Sequence, residues 1–180
     1  CHPKIIGFCN SKFYSNELIT MTEDHGEKDV LSVYETPQGH LAKDRTNKRQ
    51  AEIINNEVLN KLSGCDAGSI GIIAPYNDQV QMIKDKIGPK YKDIEVSTVH
   101  KFQGREKDTI ILSTVDDVVN DFSDGSELIN VAVSRAKKRF ILIVSGNKQP
   151  EYSNVSDLIA YMKYNNMQII YSKIYSVFDF

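Results

Sequence analysis

Two short stretches hold the residues best suited to chemistry. Val96-Ser-Thr-Val-His-Lys-Phe-Gln-Gly-Arg-Glu-Lys-Asp108 and Ile129-Asn-Val-Ala-Val-Ser-Arg-Ala-Lys-Lys138 set polar and basic side chains directly before apolar β-type runs at 109–115 and 140–144. Groups so placed sit at strand edges and helix ends, where α/β folds hold ligands, and a phosphate fits between two such stretches. In the first, Phe102 is suited to anchor in the core while Gln103-Gly104-Arg105-Glu106 makes a tight polar turn. Gly104 permits a backbone geometry or a close approach that a side chain would obstruct. A carboxylate at Glu106 can accept hydrogen bonds from a ribose hydroxyl or hold a basic phosphate-binding group, or it can pair with Arg105 or Lys107 as a solvated loop residue. In the second, a helix from Glu127 turns Leu128, Val131 and Ala132 to the sheet and brings Arg135 close to its C-terminus. A guanidinium stays charged and engages two oxygens at once, which suits a phosphate in transfer. Where such a group acts it contributes on the order of 10³–10⁵ in rate. Its alternative is to neutralise the helix dipole, the role expected of Lys137 and Lys138.

The elements that must position these groups follow from periodicity. Pro3 opens a short helix with Ile5, Ile6, Phe8, Cys9 and Phe13 at helical spacing. Residues 26–48 are polar and broken by Gly26, Pro37 and Gly39, with a strand expected at 30–34. A helix is expected over 46–62, capped by Thr46, with Ala51, Ile54, Val58 and Leu62 as its apolar stripe. A buried strand at 71–75 is stopped by Pro75. The following helix, capped by Asn77 or Asp78, carries Val80, Ile83 and Ile87 inward until Gly88-Pro89 ends it. Strands are expected at 94–99, 109–115 and 140–144, helices at 127–137 and 155–163, and a Tyr- and Ile-rich strand region at 167–177. This alternation predicts an α/β fold with a parallel sheet between helical layers.

Bulk properties narrow the classes. At 180 residues one domain suffices, and a net charge of −2 with pI about 6.1 gives no whole-protein basic field, so any anion site must be local. Basic residues cluster where that matters, as Lys101, Arg105 and Lys107, and as Arg135, Lys137, Lys138 and Arg139. Cys1, Cys9 and Cys65 lack zinc-site spacing and read as reduced thiols of a cytoplasmic, intracellular protein; His2 and Cys9 read as a chain-start residue and a core thiol rather than metal ligands, so no metal site is expected. No apolar run is long enough for a membrane span and no signal-peptide pattern opens the chain, so no membrane partner is expected.

Val96 to Leu112 resembles motif V, with its following Gln-Gly-x-Glu element, of superfamily 1 helicases of the Upf and Sen type (1B). Asn130-Val-Ala-Val-Ser-Arg-Ala-Lys137 resembles their motif VI, and Ile73-Ala-Pro-Tyr-Asn-Asp-Gln79 their motif IV. The three occur in family order within 71–146. The resemblance implies a three-layer, parallel-sheet RecA-like domain of the P-loop NTPase type, the second (2A) of two that close on ATP and Mg2+. It implies Arg135 as the finger to the γ-phosphate and Glu106 as the motif V acid near the ribose or phosphates, with Gln103 and Gly104 shaping the turn. Ser97, Thr98, Val99 and His100, and more weakly Lys101, would meet the backbone of single-stranded DNA or RNA. Tyr76 and Gln79 would start a helix or touch the strand, the structural role suiting Tyr76 better.

Two departures from the family pattern shape the expectation. The chain holds no Gly-x-x-x-x-Gly-Lys-Ser/Thr phosphate loop and no Asp-Glu magnesium pair after an apolar strand. The nucleotide is therefore expected to be bound mainly by an N-terminal RecA-like domain of the same parent chain, and this domain alone to be inactive. In the family a Tyr-Arg pair would precede Cys1, so the chain is read as part of a longer protein. Its expected organisation is a single domain over 1–180, with a helical lead-in at 1–25, an excursion at 26–48, the motif-bearing core at 49–146 and a C-terminal extension at 147–180. The competing reading is a non-enzymatic RecA-like module that binds nucleic acid or protein. A nuclease would need its clustered acids, and Asp116, Asp117, Asp121 and Asp124 read instead as a solvated turn.

Overall fold

The computed structural model describes residues 1–102, 104–165 and 167–172. Its centre is a parallel sheet of β1 (Leu31–Glu35), β2 (Ile70–Ile73), β3 (Glu95–Ser97), β4 (Lys107–Ser113), β5 (Ala136–Val144) and β6 (Gln168–Tyr171), in the order β3-β2-β4-β5-β1-β6. These runs are rich in Ile, Val and Leu because both faces are covered, and residue alternation divides them between two cores. Ile110, Leu112, Phe140 and Leu142 face one core, built with α1 (Pro3–Phe13), α5 (Ser126–Ser134) and α6 (Asn154–Tyr164). Ile111, Ile141 and Ile143 face the other, built with α2 (Lys48–Ile53), α3 (Leu59–Lys61) and α4 (Asn77–Ile87). This is a three-layer RecA-like α/β architecture. No helix among the described residues is long and apolar enough to cross a membrane.

Several local expectations are corrected. The helix expected over 46–62 is capped by Asn47, whose side chain accepts from the Gln50 N–H. Thr46 cannot cap because its hydroxyl donates to the Lys43 carbonyl at 2.6 Å, closing a turn in which Asp44 and Arg45 both have positive φ. A π-helical turn at Ile54–Val58 interrupts this helix, and Ile53, Ile54, Val58 and Leu59 are all buried around it. Neither Asn77 nor Asp78 caps α4; Tyr76 occupies that position without a side-chain bond. Helix α5 stops at Ser134 instead of running to Lys137, since Ala136 already pairs with Lys107 across the sheet. Lys137 and Lys138 are thus strand residues, and Lys138 pairs with Asp108 at 2.9 Å instead of answering a helix dipole. The strand of the 26–48 stretch, β1, inserts between β5 and β6. Of the tail strand expected over 167–177, residues 168–171 form β6, and 173–177 lie outside the described residues.

Two buried features tie this frame to the chemistry-bearing segments. Phe102 is fully buried and packs over Gly71, where an added Cβ would lie 2.4 Å from its ring. Cys9 is buried, its thiol donates to the Asn130 carbonyl at 3.9 Å, and burial pushes its pKa up to about 12. Gly71→Ala should destabilise the domain by about 1–3 kcal/mol through overpacking, read from a urea midpoint. The folded state keeps the Cys9 proton above the ordinary value of 9.0, so unfolding releases a proton between about pH 9 and 12. Stability should therefore fall across that window, with this group adding a slope of up to about 1.4 kcal/mol per pH unit that Cys9→Ala removes.

Candidate functional site

Glu106 and Arg135 sit side by side at the N-terminal edge of the sheet. Lys107 lies opposite Ala136, and the Lys107 N–H donates to the Arg135 carbonyl at 3.0 Å, so the preceding residues are neighbours on adjoining strands. Arg135 is the C-terminal cap of α5. Its guanidinium makes one long contact, 3.5 Å to the Ser134 hydroxyl, its buried Nε has no partner, and it forms no ion pair with a described acid. Glu106 is exposed, with no ion pair among the described residues. The solvated pairing with Arg105 or Lys107 does not form, because Glu95 takes both cations: Arg105 directly, and Lys107 at 3.5 Å. Gly104 has φ +79 with open space around it, so backbone geometry and not close packing is its reason. Gln103 lies outside the described residues.

The other expected residues gather at the opposite, C-terminal edge, ~20 Å away along the seven residues of β4. Ser97 ends β3, and its buried Oγ has no partner. Thr98 is half-buried, Val99 is buried in a 3-10 turn, and His100 and Lys101 are exposed. Val99 can therefore offer a strand its backbone but not its side chain. A groove of about 190 Å3 is lined by Pro75, Thr98, His100, Phe122, Glu127 and Leu128, among others. Tyr76 stands beside it; its hydroxyl donates to Asp116 Oδ2 at 2.8 Å, and its ring stacks on Phe122 with centroids 5.3 Å apart. Burial raises the Tyr76 pKa first, reinforced by Asp116, so the hydroxyl stays a donor at neutral pH.

Gln79 corrects its expected contact with a strand. It is fully buried: Oε1 accepts from the Asn47 N–H at 2.8 Å, and Nε2 donates to the Asn47 carbonyl at 3.1 Å and to Ser113 Oγ at 3.2 Å. Gln50 Oε1 accepts from Ser113 Oγ at 2.7 Å and from the Val115 N–H at 3.0 Å, while Asn47 Nδ2 donates to the Val115 carbonyl at 2.8 Å. This polar knot holds Val115 at φ +67, unusual for a β-branched residue, at the start of the loop that carries Asp116 and Phe122. The reading of the sequence missed Asn47, Gln50 and Phe122. One available signal was Gln79 itself, which falls four residues before Ile83 on the inward stripe of α4.

Of the four loop acids, three do structural work. Asp116 accepts from Tyr76, Asp117 accepts from the Leu41 and Ala42 N–H groups at 3.0 Å each, and Asp124 accepts from the Asn154 and Val155 N–H groups at the start of α6. Among the described residues, the three-residue group that comes nearest to a cation cage is His2, Asp24 and Glu27. Its members already have partners. The Lys4 N–H donates to His2 Nδ1, which assigns the ring proton to Nε2, 3.0 Å from Glu27, and Lys4 Nζ pairs with Asp24 at 3.2 Å. The Gly26 N–H first, then Lys4, holds the Asp24 carboxyl below its usual range. The group is a helix-capping ion cluster.

A family model described as AAA domain matches residues 1–149. The chain belongs to the AAA domain family. Within it, the motif IV, V and VI segments are those of superfamily 1 helicases of the Upf and Sen type, and the similar curated proteins agree. Human DNA replication ATP-dependent helicase/nuclease DNA2 is 39% identical over 85 residues, which are 45% of this chain and 8% of that protein. DNA polymerase alpha-associated DNA helicase A of Saccharomyces cerevisiae is 40% identical over 107 residues, 56% of this chain and 15% of that protein. Its Schizosaccharomyces pombe namesake is 30% identical over 139 residues, 75% of this chain and 20% of that protein. The chain thus spans from 8% to 20% of the length of these relatives. The crystal structure of the C-terminal domain of a possible DNA helicase from Lactobacillus plantarum WCFS1 matches with a TM-score of 0.57 at 14% identity, covering 92% of this chain and 94% of that one, which speaks for the fold.

The geometry of the C-terminal edge depends on the knot. Gln50→Ala should leave the Val115 N–H and the Ser113 hydroxyl buried without their shared acceptor and cost about 2–4 kcal/mol, measured by chemical unfolding.

Proposed function

We propose that this domain is the second motor domain of an ATP-dependent superfamily 1 helicase or translocase acting on single-stranded nucleic acid. The observation that carries the reading is the state of Arg135. Its neighbours Arg105, Lys107 and Lys138 are engaged by Glu95 and Asp108, while Arg135 stands at the helix-to-strand junction with a buried, unpartnered Nε. A phosphate oxygen reaching the half-buried guanidinium supplies the strong acceptor that no described residue offers it.

The residues of this edge fit one side of a nucleoside triphosphate. Arg135 presents charge to the terminal phosphate, where a transferred phosphoryl group gathers negative charge in its transition state. Glu106, exposed beside it, accepts from a ribose hydroxyl or orients a cation of the facing domain. Mg2+ neutralises the phosphates when bound, and its ligands belong to the N-terminal RecA-like domain of the parent chain, as does the phosphate loop this chain lacks. By itself the domain is inactive. At the far edge Thr98, the Val99 backbone, His100 and Lys101 meet phosphates of the strand, and relative movement of the two domains shifts that contact. The ATP-dependent and DNA-binding descriptions carried by the relatives support this reading, which entails an intracellular setting.

In the full-length protein, Arg135→Ala should lower ATP turnover by about 10³-fold or more with an unchanged melting temperature. Residues 1–180 alone should show no turnover. Normal ATPase in the variant sinks the finger assignment, and turnover by the isolated domain sinks the division between two domains.

A further inference from the structure

Phe122 is 58% exposed although one face of its ring is stacked on Tyr76, 5.3 Å away and only 16° from parallel. The platform beneath it is held from several sides. Tyr76 donates to Asp116 and accepts from Asn120 Nδ2 at 3.3 Å, and the Arg45 guanidinium lies 6.0 Å from its ring centroid. The Phe122 backbone is pinned by Asn120, whose Oδ1 accepts from the Phe122 N–H at 2.9 Å and from the Ser123 N–H at 3.1 Å. An aromatic ring fixed in place, with its outer face bare, needs little ordering before it stacks on a partner.

The adjoining groove selects that partner by charge. Asp121 and Glu127 line it opposite Thr98 and His100. Two carboxylates repel a phosphate but accept hydrogen bonds from the N–H groups on the edge of a base. For the phosphates, Lys101 stands outside the groove on the exposed turn after β3, and the exposed His100 lines its edge. The groove therefore fits the uncharged part of a nucleotide and its rim fits the charged part.

We propose that this groove takes one unpaired base of the bound strand, stacked on Phe122 and turned with its edge to Asp121 and Glu127. The inference rests on the strand-binding reading above and adds a base contact to the phosphate contacts of motif V. It also assigns the Tyr76–Phe122 pair a joint role, with Tyr76 positioning the ring that touches the base.

The test uses the full-length protein and measures equilibrium anisotropy with single-stranded DNA and RNA oligonucleotides, each in a base-bearing and a fully abasic form. Phe122→Ala should weaken binding of the base-bearing strands by roughly 5- to 150-fold, the range that losing one stacked base implies. It should leave abasic binding and the salt dependence unchanged, since no phosphate contact is lost. Phe122→Trp should retain affinity, which separates stacking from a folding defect. Equal loss on base-bearing and abasic strands, or no loss at all, overturns the base contact while leaving strand binding intact. If the unaltered protein binds none of the four strands, the strand-binding reading fails and this inference with it.

Discussion

The amide of Gln79 and the amide of Gln50 meet around the hydroxyl of Ser113, inside a protein interior that offers neither of them water. An unpaired amide there would cost several kcal/mol, so the arrangement persists only because each of these groups finds a partner. That requirement fixes three things at once. Helix α2 must start at Asn47, α4 must present Gln79 inward, and the chain leaving β4 must turn through a left-handed residue at Val115. The loop that follows supplies Asp116, Asn120 and Phe122, and its Asp124 starts α6 while its Gly125 starts α5. The C-terminal edge is thus a consequence of one satisfied polar cluster, and the aromatic shelf hangs from it.

The N-terminal edge is built by different means. Gly71 leaves room for Phe102, which pins the start of the turn through Gly104 to Glu106, and the Lys107–Ala136 register sets Glu106 against Arg135. Strands β4 and β5 connect the two edges as a rigid pair, in register from Thr109 opposite Arg139 to Ser113 opposite Ile143. A register shift between Lys107 and Thr109 separates the Glu106–Arg135 end from the regular part of this pair. The general rule that α/β sheets bind ligands at the carboxyl ends of their strands fits the groove beside Phe122 but not Glu106 and Arg135. Those two residues lie just before strand starts, Arg135 as the cap of a helix that has run back across the sheet and Glu106 after the turn at Gly104.

What could be read in the residues follows the same division. Strand runs, the inward stripe of Val80, Ile83 and Ile87, and the anchoring of Phe102 were legible because apolar periodicity reports burial directly. Helix boundaries were less so. The competition between Thr46 and Asn47 for the cap was decided by a turn at Asp44-Arg45 that no propensity announces. The short α5 was decided by pairing with a strand distant in sequence, and Lys137 and Lys138 changed roles with it. The polar knot was hard to read because its members, Asn47, Gln50, Gln79 and Ser113, come from three elements, and the inward placement of Gln79 and Ser113 does not say which groups meet them. Phe122 was overlooked for the opposite reason, as an aromatic in a polar loop with no periodic partner.

Charge pairing separates the residues that hold the domain together from those left available. The chain is nearly neutral, and three of the seven basic residues at the two motif segments are matched by acids: Glu95 serves Arg105 and Lys107, and Asp108 serves Lys138. Exposed pairs of this kind add little stability each, about 0–1 kcal/mol. They lower the positive field at this edge, while Lys137, exposed two residues from Arg135, keeps its charge. A uniformly basic edge would attract any polyanion without selecting one. Arg135 itself, half-buried and without an ion pair to a described acid, keeps a planar donor set that suits a single anionic group.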